Sequence, residues 1–480
     1  MASKGLARFS SLFLSAFFCL TAEPAVKGRA FAAEVDPRAK PGALTRDVNT
    51  RLSTAEADPR AKPGAPAAAP AAVDKKTAAD IDREIAKIGP EMVKVRRRIH
   101  MDPQLANREQ ETANIISGRL ITLGLDVKTG IAKSGVVALL RGGQTGATIA
   151  LRADLDAVPI QEMADVPFKS LNPGSMHATG SDIHASIVLG TAYVLNELKD
   201  RIKGNIKFIF QPAGEGPPAG EEGGAALMIK EGVLDNPPVG AIFGFHVWPE
   251  NVGQAFISSG PLLANSDSFQ ITIKGKSSEG SQPQDGVDAI VLASQVVMAL
   301  QTLVSRNVDP TDPALLTIGR IEGGTKSDLI ADRVRLEGVV RTLSDANRKK
   351  ISRLMESAVK GIVHSFGGDY AFSFEEETPS VVNHPELLKL MMPSLAEAIG
   401  AGNVNPIKPQ MMADDFALYS QRIPGLYFLL GVKNPRLPNP VPLYSPYFNP
   451  DERSISLGIK ILCHLLLDCL EQQSRLEKGV

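Results

Sequence analysis

From Thr77 onward, short apolar runs of strand length alternate with amphipathic helical patterns, and this rhythm restricts the fold more than any other feature of the chain. Gly135 to Leu140, Ala147 to Leu155, Ile206 to Phe210 and Ala241 to His246 read as strands, and the runs near Ile115 to Leu123 and Ala185 to Leu198 read as helices. Short apolar strands separated by helices predict an α/β domain with a mainly parallel sheet flanked by helices. Functional groups then gather at the carboxyl ends of the strands.

Near Ser268 the rhythm changes. Phe269 to Ile273, a helix over Ala289 to Leu303, Leu315 to Ile321, Arg333 to Arg341, a helix over Ala346 to Phe366, and Tyr370 to Phe374 follow a β-α-β-β-α-β order. This predicts a compact α+β insert over 265–381, between the two halves of the larger domain at 77–264 and 382–480. With 480 residues, 43% of them hydrophobic, the chain is long enough to build both cores. The net charge of -1 supplies no global field for nucleic acid or an anionic membrane, so neither is an expected partner.

The N-terminus is expected to stand outside the fold. Lys4 and Arg8 precede the apolar run Leu12 to Leu20, and Ala30-Phe31-Ala32 is a small-x-small cleavage pattern, so 1–33 reads as a signal peptide and the protein as secreted or periplasmic. The octapeptide Asp36 to Ala43 recurs as Asp58 to Ala65, which makes 34–76 a Pro/Ala-rich tether. After it, Thr77 and Asp80 are placed as a capping box for a helix that Pro90 should kink. Cys463 and Cys469 lie six apart in one helical pattern and face different ways, so no disulfide is expected between them.

The chemistry concentrates in a few loops. Leu151-Arg152-Ala153-Asp154-Leu155-Asp156-Ala157-Val158-Pro159 precedes Met176-His177-Ala178-Thr179-Gly180-Ser181-Asp182-Ile183-His184, and Gln211-Pro212-Ala213-Gly214-Glu215-Gly216 follows the next strand. Further on stand Phe245-His246-Val247-Trp248-Pro249, Ser278-Glu279-Gly280, Gly323 to Asp328, Val340-Arg341-Thr342 and Tyr444-Ser445-Pro446. Together they resemble the metallo-aminoacylase and carboxypeptidase family, in the branch of N-acyl-amino-acid amidohydrolases and auxin-conjugate hydrolases. The resemblance runs from residue 77 to the end and implies that the insert is a lid and dimerisation domain.

The same resemblance implies five metal-ligand positions, of which Glu215 and His246 are retained. Thr179 stands where the family has Cys, and Ser181 and Tyr444 where it has His. A thiolate or neutral imidazole offers a lone pair near pH 7, whereas a neutral alcohol does not. Gly214 occupies the general-base position without an acceptor, Glu279 replaces a His that polarises substrate, and Asp328 replaces an Asn. Arg341 is either a surface ion-pair partner or the group that meets a ligand carboxylate. Glu221 and Glu222 are either solvated loop acids or replacement acids, and a Ser181–His184 pair competes with an ordinary helix start.

These residues predict a metal-dependent amidohydrolase ancestry with an impaired site, a homodimer that binds an acylated amino acid or peptide. The alternative is an active amidohydrolase with a rebuilt or single-metal site. His177, Asp182, Asp154, Glu215 and His246 are the candidates for one weakly held zinc or manganese ion, and the other expectation is no metal at all.

Overall fold

The protein is represented by a computed structural model that describes residues 73–437 and 441–478. The expected leader and the tether up to residue 72 lie outside the described residues. The first helix, α1 (Lys75–Met101), begins inside the expected tether and is not started by Thr77 and Asp80. Asp74 caps it instead, accepting from the Lys76 and Thr77 N–H groups at 2.9 and 3.0 Å. A carboxylate just before the first free N–H groups satisfies them directly, and Asp80 is left to pair with Arg83 and Arg201.

The chain continues through α2 (Gln110–Thr122), β1 (Asp126–Ile131), β2 (Gly135–Arg141), β3 (Gln144–Asp154), α3 (Ser181–Glu197), β4 (Lys203–Gln211), α4 (Gly224–Lys230), β5 (Val239–Asn251), β6 (Ala255–Ile257) and β7 (Pro261–Leu263). After the insert come β12 (Val381–Val382), α7 (Pro385–Ile399), β13 (Val404–Pro406), α8 (Phe416–Ser420), β14 (Gly425–Lys433) and α9 (Arg453–Lys478). The insert itself supplies β8 (Ser266–Lys274), α5 (Ala289–Asn307), β9 (Ala314–Gly323), β10 (Arg333–Thr342), α6 (Asp345–Ser365) and β11 (Asp369–Thr378).

The large sheet has the order β1-β2-β4-β3-β5-β14-β6-β13. Its centre, β4-β3-β5-β14, is parallel, while β1, β2 and β6 pair antiparallel toward the edges. Parallel neighbours end at the same edge, so Asp154 on β3 lies in register with Gln211 on β4, and β5 brings His246 alongside. Helices α1, α3 and α9 bury Ile81, Met92, Ile187, Val188, Ile459 and Leu462 in one core with the sheet. Cys463 and Cys469 are both buried there and unpaired.

The insert forms its own antiparallel sheet, β11-β8-β10-β9. Helices α5 and α6 cover one face, burying Leu292, Val296, Ile351 and Met355 against Ile271 and Leu336. The opposite face carries shorter polar side chains such as Ser266 and Gln270, half-buried, and it turns toward the site described next.

Candidate functional site

The loop that enters α3 packs too tightly for most residues. Gly180 has φ +89°, and a Cβ there would lie 2.4 Å from Val247 Cγ2, so glycine is required for both backbone and space. That turn sets Ser181 at the first position of α3, where its Oγ donates to the Asp156 carbonyl at 2.6 Å and stands 2.7 Å from His177 Nδ1. With the serine proton given to a carbonyl, His177 must donate from Nδ1, which leaves its buried Nε2 lone pair without a partner among the described residues. Burial lowers the His177 pKa to about 4, so the ring is neutral.

His184 belongs to a different network. Its Nδ1 lies 2.7 Å from Asp154, and its Nε2 accepts from the Val247 N–H at 3.0 Å. The Ser181–His184 pair weighed from the sequence is therefore absent, because each side chain is engaged elsewhere, Ser181 by Asp156 and His177 and His184 by Asp154 and the Val247 N–H. Asp182 is committed as well: Arg96 Nε and His100 Nδ1 each approach it at 2.7 Å. Burial opposes its charge, yet these two groups hold Asp182 well below the usual carboxylate range. Asp154 is held low in the same way by His184 and Arg152 against burial.

The loop after β4 forms the floor. Asp156 accepts from the Gly214 and Glu215 N–H groups at 2.7 and 3.0 Å, pulling the loop down onto the sheet edge. A Cβ on Gly214 would sit 2.7 Å from Asp154 Cβ and 3.2 Å from Arg152 Nη2, so the position expected to hold a base is closed to any side chain as packed. Glu215 Oε2 accepts from the Tyr444 hydroxyl at 2.6 Å, with Tyr444 in the left-handed region at φ +62°. Glu215 and Tyr444 are both open to solvent on the cleft side, yet desolvation by the floor beneath them, with Asp154 and Asp414 nearby, raises the Glu215 pKa to about 7. The same surroundings with Glu215 alongside push the Tyr444 phenol above its ordinary value, so the proton stays on the tyrosine. Thr179 Oγ1 is buried without a partner at hydrogen-bonding geometry, although it lies near enough to Glu215 to favour its charged form.

His246 donates from Nδ1 to the Val247 carbonyl at 2.8 Å, which makes Nε2 the acceptor. Burial, with the His184 ring 4.6 Å away, lowers its pKa to about 4. Of the five positions that the resemblance assigns to metal, only His246 and Glu215 carry good donors. Ser181 and Tyr444 spend their hydroxyl protons within the protein, and Thr179 is a neutral alcohol. The five candidates for a single ion are not brought together either, since Asp154 and Asp182 serve separate ion pairs. Among the described residues no group of three or more His, Cys, Asp and Glu side chains is placed to hold a metal ion. The residues present do not fit a two-metal centre.

Above the floor opens a cavity of about 980 Å³, reaching from Glu215 and Tyr444 to Arg341, Glu375 and Glu377 on the insert. Glu221 and Glu222 border it but are bound, Glu221 by Arg108 at 2.6 Å and Lys133 at 2.5 Å, and Glu222 by Lys230 at 2.8 Å. Arg341 donates one bond to the Met411 carbonyl at 2.7 Å and keeps further N–H groups for a ligand. Glu279 and Asp328 are exposed, next to each other through the Glu279–Leu329 bridge, and neither lines this cavity. They sit on two adjoining loops of the insert, one after β8 and one between β9 and β10, that the chain's own fold does not bring to the floor.

Sequence reasoning missed the layer beneath. Arg152 is buried and reaches Asp415 at 2.7 Å, Asp414 at 3.3 Å and Gln211 at 2.9 Å, while Asp414 also takes the Tyr427 hydroxyl. Burial raises the Asp415 pKa to about 6 with Arg152 opposing. An arginine inside an otherwise apolar strand was the available signal, because such a charge needs buried partners. Glu109 was missed too; it accepts from the Ala213 N–H and the Ser134 hydroxyl.

The sequence profile of Peptidase family M20/M25/M40 matches residues 150–468, more than half of the chain. The chain belongs to this family. Over 390 residues it is 35% identical to thermostable carboxypeptidase 2 of Saccharolobus solfataricus, covering 81% of this chain and 97% of that protein. N-acetylcysteine deacetylase of Bacillus subtilis is 34% identical over 382 residues, covering 79% and 97%. Among solved structures, a Bacillus subtilis dinuclear metal-binding peptidase of the M20 family superposes with TM-score 0.68 at 32% identity, over 80% of this chain and 99% of that one.

Proposed function

We propose that this M20-family protein does not carry out two-metal amide hydrolysis and instead binds an N-acylated amino acid or short peptide in the cleft over Glu215 and Tyr444. The observation that carries this reading is the Tyr444–Glu215 hydrogen bond: a phenol donates to the remaining carboxylate at the position where a metal-binding imidazole is expected. Gly214 supports it, because the space for a general base is filled by Asp154. General-base catalysis is typically worth about 10²- to 10⁴-fold, and the position that the resemblance assigns to the base carries no side chain to supply it. Arg341 is the group in the cleft suited to a ligand carboxylate.

The competing reading, an active amidohydrolase with a rebuilt site, has one observation in its favour. Glu215, with its pKa raised to about 7, is poised to exchange a proton near neutral pH. Purified full-length protein, supplied with zinc or manganese and assayed on N-acetyl and N-benzoyl amino acids, separates the two. Saturable binding without turnover is expected, and turnover at an ordinary rate with stoichiometric metal overturns the proposal. Gly214→Glu is expected to restore no activity and to lower stability by about 1–3 kcal/mol, the usual range for overpacking.

The reading of a homodimer rests on the insert, where Ile290, Val291 and Met298 are exposed along α5 and the edge strand β9 pairs only with β10. Helix α5 is long and apolar enough to cross a membrane, but it buries Leu292, Val296 and Leu300 against its own sheet. Export to the periplasm or medium remains a proposal that rests on the N-terminal sequence alone.

A further inference from the structure

We propose that the site is bipartite, with an apolar side pocket that takes the acyl group and selects medium-chain or aromatic acyl amino acids over N-acetyl ones. The inference rests on the binding reading above and adds the ligand class. A second cavity of about 430 Å³ opens on the other side of Glu215 and Tyr444, which line both cavities. Its remaining walls are largely apolar, with Leu105, Ala157, Val158, Pro159 and Ile160 around it. Leu105 is 40% exposed and borders this space.

The walls are held by the backbone and do not depend on a ligand to form. Leu105 bridges Ala157, the Ala157 N–H donates to the Gln104 carbonyl at 2.8 Å, and Val158 exchanges hydrogen bonds with Met176 at 3.0 and 3.1 Å. Gln104 Oε1 in turn caps α2 through the Glu111 and Thr112 N–H groups. A preformed apolar pocket of this size, joined to a polar cleft, is the ordinary form of a site for an amphipathic small molecule. Arg341 lies in the larger cavity and suits an anionic head, while the apolar pocket suits a tail. The amide joining head and tail would cross the Glu215–Tyr444 pair, where a carboxylate and a phenol offer an acceptor and a donor. An acetyl group is too small to fill the side pocket.

Isothermal titration of the full-length protein with N-acetyl-, N-hexanoyl- and N-decanoyl-L-alanine, and with decanamide, tests this. Affinity should rise roughly fourfold per methylene until the pocket is full, and decanamide, lacking the carboxylate, should bind more weakly than N-decanoyl-alanine. Leu105→Asp, at an exposed position, should abolish the gain from chain length while leaving N-acetyl-alanine unchanged; Pro159→Asp, exposed and bordering only the side pocket, is the second variant should the first fail to fold. Chain-length-independent binding, an equal loss for all probes in Leu105→Asp, or decanamide binding as tightly as N-decanoyl-alanine overturns the side pocket and leaves the binding reading standing. Absence of binding by every probe overturns both. If the probes are hydrolysed, the loss of activity is the part that fails, and the chain-length trend in KM still decides the pocket.

Discussion

The guanidinium of Arg152 is buried among Asp154, Asp414 and Asp415, at 3.7, 3.3 and 2.7 Å. Taking it away strands carboxylates in an interior that cannot solvate them, which is costlier than losing the pair in water. Arg152→Met is expected to lower stability by about 3–5 kcal/mol in urea unfolding. Arg152→Lys should recover only part of this, since an ammonium lacks the planar fork that reaches Gln211 and Asp415 together. At this scale the motifs made Thr179, Ser181, Gly214, Glu215, His246 and Tyr444 legible, because each occupies a fixed place in a short pattern. Their partners were not legible. That Ser181 meets His177 and not His184, or that Tyr444 reaches Glu215 across more than two hundred positions of sequence, depends on how the loop after β3 turns and on the left-handed backbone at Tyr444.

The elements were easier to foresee where both faces are buried. β3, β4 and β5 each carry a largely apolar, buried stretch, whereas β1 buries little and was missed: Asp126, Lys128, Thr129 and Gly130 are exposed on an edge strand. Helix α9 was expected as one apolar pattern, yet it also carries a polar stripe, His464, Asp468 and Gln472, into the core. Burial pushes the Asp468 pKa from its ordinary 3.8 up to about 7. A carboxyl raised on folding binds its proton more tightly in the native state, so its contribution is fully present below about pH 4 and is lost as pH rises through 7. Asp468→Asn removes that dependence. Urea midpoints should therefore fall less between pH 5 and 7.5 in the variant than in the wild type, and an unchanged slope counts against a buried, neutral Asp468.

On the scale of the whole molecule, the described residues build three hydrophobic cores, two against the large sheet and one in the insert, and the cleft lies where the carboxyl ends of the central strands face the insert. If the exposed apolar line on α5 joins two copies, Met298→Asp should convert the protein to a monomer in light scattering, without altering its thermal midpoint by more than a few degrees. A variant that stays dimeric moves the contact elsewhere. Here the sequence by itself determined the α/β class, the M20 frame and the chemistry of each side chain at the motif positions. These are local quantities: periodicity, turn residues and donor type are all present in short stretches of chain. Only the tertiary structure decided that Gly214 is closed off by Asp154, that Glu221 and Glu222 are tied up in ion pairs, that Glu279 and Asp328 stay away from the floor, and that an apolar pocket adjoins Glu215. Each of these depends on distances between segments far apart in sequence, which packing sets and no short pattern records.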